Sequence, residues 1–156
     1  MVLILNLEKM LSIQRIFCLL TCSAVLFSCN PKTDYKAERD EVMKFHDVVM
    51  ADHGVLVNNE MKLDTMLRNL SALKKDFPSV DTAKEKVVIN IALESLKNAE
   101  NKMNDWMHQF EPDVTGKSND EAVAYFKAER QKIGKIDSLY KGQIKASNQY
   151  LSQFKK

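Results

Sequence analysis

Beyond residue 29 the sequence contains no cysteine: the three in the chain are Cys18, Cys22 and Cys29. Residues 30–156 therefore offer no disulfide, thiolate zinc site or thiol nucleophile. Glycine and proline are nearly as scarce, with 4 and 3 copies in 156 residues. Long stretches free of both favour helices. An excess of one charge is also missing, since 23 Lys and Arg stand against 21 Asp and Glu. That balance gives no reason to expect a nucleic acid partner. The chain carries no Gly-rich phosphate loop, nucleophile elbow, HExxH or paired CxxC motif. It also has no Glu-x-x-His, which argues against a ferritin-like di-iron oxidase. No catalytic residue is assigned, and the expectation is a non-enzyme.

What is present begins with Ile16–Phe27, an apolar run of 12 residues preceded by Arg15. A membrane-spanning helix needs roughly 20 apolar residues, so this run reads as the h-region of a secretory signal. Leu26-Phe27-Ser28-Cys29 closes it and resembles a bacterial lipobox, with Leu three before the cysteine and a small residue one before it. The resemblance implies that Cys29 is acylated on its sulfur, freed by cleavage and then acylated on its nitrogen. Two or three acyl chains anchor stably where one does not, at about 0.8 kcal/mol per buried CH₂. An ordinary cleaved signal and an uncleaved anchor are the alternatives. Residues 1–15 are long for an n-region and include Glu8, which leaves Met10 as a second possible start.

The expected organisation is a signal peptide over 1–28, a tether over 29–35 and a single helical domain over 36–156. Helices are predicted over about 36–76, 81–110 and 119–154. In the first, Val42, Val49, Leu56, Leu63, Leu70 and Phe77 recur every seven residues, the seam of a helix packed lengthwise on others. Asp52 and Asn59 interrupt its second line, and Gly54 marks a kink or a close backbone approach. Phe77-Pro78 ends this helix. Thr82 and Glu85 then form a capping box, with Ser79 or Asp81 as rival caps. Val88, Ala92, Leu96, Ala99, Met103, Trp106 and Phe110 stripe the second helix, widened by Ile89, Leu93 and Met107. Ser118 and Glu121 form the capping box of the third. Three helices joined by short loops predict an all-α, up-down-up antiparallel three-helix bundle.

One constellation carries possible chemistry. Met43, His46, Met50 and His53 share a helical stripe, and pairing the first two helices about residue 78 brings Met107 opposite Met50. Thioether with imidazole suits soft or borderline ions, above all Cu(I), so these five residues are candidate copper ligands. The same spacing is also what core-edge packing produces, and methionine is a common gap filler. Trp106 has a similar pair of readings, core ring or ligand-stacking platform. Eight Lys and Arg from Lys127 to Lys156 read as a solvated face, or as a basic flank for an anionic envelope polymer or a partner protein.

The lipobox, Glu41–Met50 (EVMKFHDVVM) and Asn101–Phe110 (NKMNDWMHQF) together resemble a family of small bacterial lipoproteins of unknown function. Some members carry the label "viral A-type inclusion protein", which reflects coiled-coil similarity. The resemblance implies a helical envelope protein and transfers no catalytic residue. Asn30 after the cysteine, in place of Asp, points to the outer membrane. The expected function is a lipid-anchored structural or interaction module of the cell envelope. A copper-binding lipoprotein is the alternative.

Overall fold

The computed structural model describes residues 33–155. The expected signal peptide, Cys29 and the tether as far as Lys32 lie outside the described residues. Residues from Thr33 onward form one compact unit. All its regular structure is helical: α1 (Tyr35–Arg68), α2 (Leu70–Asp76), α3 (Thr82–Gln109) and α4 (Asn119–Ser152).

Local chemistry explains each boundary. Asp34 caps α1, its carboxylate accepting from the Lys36 N–H at 3.1 Å. The long helix expected over 36–76 is two helices, because Asn69 breaks it. Its side-chain amide donates to the Thr65 carbonyl at 2.8 Å, while its own backbone N–H turns to Met66 O at 3.1 Å. A side chain that takes a backbone acceptor disrupts the ladder in this way. Asp81, not Thr82, caps α3, accepting from the N–H groups of Ala83 and Lys84. Lys74 Nζ ties down the preceding turn by donating to Val80 O at 2.6 Å. Gly116 supplies the positive φ of 86° that the turn from Val114 to Lys117 needs, closed by a 3.0 Å backbone bond. The Ser118–Glu121 capping box then opens α4 in both of its hydrogen bonds, as expected.

The core is a pair of seven-residue lines with α3 laid against them. On α1, Val42, Val49, Leu56 and Leu63 are all 0% exposed. On α4, Phe126, Ile133 and Tyr140 are also 0% exposed, and Ser147 continues their line at 3%. Past the break the expected line through Leu70 and Phe77 gives way to Leu73 as the buried residue. The buried stripe of α3 is Ile89, Leu93, Leu96, Ala99, Met103 and Trp106. It is rotated from the expected one, leaving Val88 and Ala92 half-buried and Met107 exposed.

Three further expectations change. Asn59 is not an irregularity in the seam: it is buried, and its amide donates to Ser147 Oγ at 2.9 Å and Asn148 Oδ1 at 3.0 Å. His46 lies beside Trp106, and His53 Nε2 is 3.8 Å from Glu100 Oε1. This register is about one turn from the pairing centred on residue 78, because the break at Asn69 and the turn at 77–81 take up chain between α1 and α3. Gly54 meets no close neighbour, since a Cβ built there finds nothing within 4 Å. An exposed helix-interior glycine costs roughly 0.5–1 kcal/mol relative to alanine. Gly54→Ala is therefore expected to raise stability by about that amount, read as a higher urea midpoint with an unchanged slope. A loss of stability would show that the glycine serves a bend.

Candidate functional site

Cys29, the expected lipidation site, falls outside the described residues. The structure does show how the chain enters the domain just after it. Asn119, the first residue of α4, accepts from the Tyr35 N–H at 3.2 Å and donates to Thr33 O at 3.0 Å. One side chain thus binds the incoming strand on both sides of the Asp34 cap. The Tyr35 ring stacks on Phe126 with centroids 6.3 Å apart, and Phe126 in turn meets Tyr125 and Phe110. Tyr125 Oη accepts from the Glu111 N–H at 2.8 Å, fastening the end of α3 to the same cluster. Asn119 was invisible as a functional residue in the sequence, where it reads only as part of a helix start.

The five candidate copper ligands are placed apart from the deepest core. Met43, Met50 and Met107 are each more than a third exposed. His46 Nδ1 is 3.0 Å from Asp47 Oδ1, and its ring lies 6.3 Å from that of Trp106. The ring of His53 instead faces Tyr140 at 6.5 Å, with Glu100 beyond its Nε2. Seven residues along a helix is roughly 10 Å, so the two imidazoles start two turns apart and lean on different partners. Among the described residues, no group of three or more His, Cys, Asp or Glu is arranged to hold a metal ion.

Trp106 is a core ring. It is 5% exposed and stacks on Phe110 at 4.8 Å, and its indole N–H donates to Glu129 Oε2 at 2.9 Å. The other Glu129 oxygen accepts from Lys132 Nζ at 2.7 Å, so this buried carboxylate is satisfied on both sides. Asp137 is likewise buried and accepts from Lys141 Nζ at 2.8 Å. Glu38, buried on α1, faces Arg130 at 3.4 Å and Lys127 at 3.9 Å. Half of the basic face expected to be merely solvated therefore answers buried carboxylates. The signal was in the sequence: Glu129 and Asp137 fall on the apolar spacing Phe126, Ile133, Ile136, Tyr140.

A second polar cluster lies where α1, α3 and α4 meet. Tyr140 is fully buried, and neither its hydroxyl nor Glu60 Oε1 has a hydrogen-bond partner among the described residues. Burial pushes the Tyr140 phenol up to about 12, helped by the charges of Glu100 and Glu60. Burial also raises the Glu60 carboxyl, as does Glu100, while Lys97 and His53 oppose the shift. The cluster can hold a proton on Glu60 more tightly than an exposed carboxylate would.

Comparisons with protein-family models, curated proteins and solved structures find no match. No helix among the described residues is long and apolar enough to cross a membrane.

The raised Glu60 carboxyl fixes the sign of a pH effect. The folded state holds the proton more tightly than the unfolded chain, so stability declines as pH rises through the shifted value. Glu60→Gln abolishes that contribution. The midpoint of the variant minus that of the parent should grow from near zero around pH 4 to a positive value at pH 7. Urea titrations across this range check it, and a difference independent of pH would contradict it.

Proposed function

We propose that the chain is a lipid-anchored lipoprotein of the cell envelope, acylated at Cys29, and a non-enzymatic structural or protein-interaction module. The observation that carries this reading is the Leu26-Phe27-Ser28-Cys29 sequence after an apolar run too short to span a bilayer, followed by a body without cysteine. The described unit begins at Thr33, so only a few residues separate it from the proposed anchor. Outer-membrane residence rests on Asn30.

The domain is proposed to be an up-down-up three-helix bundle, with α2 extending α1. Residue pairs support this arrangement. Tyr35 with Asn119, Asn59 with Ser147 and Phe77 with Phe154 advance together, whereas His46 with Trp106 and His53 with Glu100 run oppositely. The starts of α1 and α4 and the end of α3 then share the tether end. At about 1.5 Å per residue, the 34 residues of α1 carry the chain roughly 50 Å from it. The placement of the ionisable groups supports the non-enzymatic reading. Glu38, Glu129 and Asp137 face cations or an indole inside helix interfaces instead of converging on a cleft.

Phase partitioning in a detergent that separates membrane proteins on warming tests the anchor. The native protein is expected in the detergent phase, with mass spectrometry showing acyl groups on an N-terminal Cys29. Cys29→Ser is expected to stay unprocessed and unacylated. Native protein with a free Cys29 thiol would overturn the proposal.

A further inference from the structure

The stripe of Met43, His46 and Met50 serves neither the buried seam nor the proposed anchor. Met43 stands one turn before His46 and Met50 one turn after it. Side chains at those spacings start about 5–6 Å apart on a helix surface, within reach of a long, flexible thioether. A third methionine comes from α3. His46 lies beside Trp106 and His53 beside Glu100, and on the register these two pairs set, Met107 is level with Phe45 and His46. Spacing alone puts it opposite Met50. The shift of about one turn between α1 and α3 therefore brings the third thioether to the level of the imidazole, between the levels of the other two.

The imidazole is oriented for a ligand. His46 Nδ1 is 3.0 Å from Asp47 Oδ1. An ionised carboxylate only accepts hydrogen bonds, so in the neutral ring Nδ1 carries the proton and Nε2 keeps its lone pair. Carboxylates behind metal-binding histidines fix the tautomer in this way. The His46 side chain is 27% exposed and the three methionines each just over a third, which leaves the donors open to an ion from solvent. His53 takes no part, since its ring faces Tyr140 and its Nε2 faces Glu100.

The donor chemistry selects the ion. Three thioethers and a neutral imidazole bring no negative charge, and sulfur predominates. Calcium and magnesium need oxygen donors, and zinc sites are built from thiolate, imidazole and carboxylate. Cu(II) favours nitrogen and oxygen in a square plane, whereas Cu(I) favours soft sulfur. The site rests on sulfur, so the absence of a His, Cys, Asp or Glu cluster among the described residues does not bear on it. We propose that His46 Nε2 and the thioethers of Met43, Met50 and Met107 bind one Cu(I) at the rim between α1 and α3, beside Trp106. This inference does not depend on acylation of Cys29, since every donor lies within the folded unit.

Competition with the Cu(I) chelator bicinchoninate tests it. The full-length chain carries Cys18→Ser, Cys22→Ser and Cys29→Ser, so that no thiol competes, and all three positions precede the described residues. One Cu(I) per chain is expected to leave the chelator. The fluorescence of Trp106, the lone tryptophan, should fall until that one ion is bound. Ag(I), a redox-inert ion with the same preference for sulfur, should quench it likewise, and Zn(II) should not. Asp47→Ala should weaken Cu(I) binding about tenfold, the usual cost of losing the group that orients a ligand. His46→Gln and Met107→Leu should cost at least as much, and His53→Gln nothing. Leucine keeps the volume of methionine, so the helical circular dichroism spectrum of Met107→Leu should be unchanged. No copper taken from the chelator, an affinity unmoved by Met107→Leu, or equal losses in His46→Gln and His53→Gln would overturn the proposal. So would quenching by Zn(II) at the same concentration.

Discussion

The contact between the seven-residue lines of α1 and α4 is what the domain depends on. Val42, Val49, Leu56 and Leu63 are fully withdrawn from water, as are Phe126, Ile133 and Tyr140. Each of the aliphatic and phenylalanine side chains among them contributes roughly 1.5–3 kcal/mol on burial. No cysteine between residues 33 and 155 adds a covalent constraint, so apolar burial is the main source of cohesion. Most of the stability of the two 34-residue helices comes from tertiary packing of their apolar faces, not from intrinsic propensity. Packing a whole line of residues against a second line at constant spacing makes each helix the template for the other.

Polar groups inside the seam act on register more than on total stability. Asn59 reaches Ser147 and Asn148, a match available at one offset of α1 against α4. Slipping either helix would leave an amide buried without partners, at about 1–3 kcal/mol. Trp106 with Glu129 does the same for α3 against α4, and Glu38 with Arg130 for the start of α1. Tyr150, whose hydroxyl bonds to Glu85 and is held protonated by burial and by that bond, sets the opposite end. Apolar lines that look alike from heptad to heptad need such markers, as buried polar residues do in coiled coils.

Much of the helical framework is legible in the sequence, and the features that are not share a cause. The α1 line to Leu63, the stop at Phe77-Pro78 and the Ser118–Glu121 box follow from spacing and capping chemistry alone. The break at Asn69 does not, because it turns on whether one amide competes for the Thr65 carbonyl. Asn59 reads as an interruption because its partners lie on another helix, whereas Glu129 and Asp137 stand on the apolar spacing of α4 and were open to detection. Pairwise matches across helices are the part of the design that periodicity cannot reveal.

The same division of labour connects fold to proposed role. Asn119 fixes the start of α1 against the start of α4, and the seam runs from there until its regular spacing ends beyond Leu63. Native-state hydrogen exchange resolves the seam most directly. Amides from Val42 to Leu63 and from Phe126 to Ser147 should be the slowest to exchange and should open together, with one free energy and one denaturant slope. Independent opening of α1 and α4, at separate free energies, would contradict the view that the two lines form a single cooperative contact.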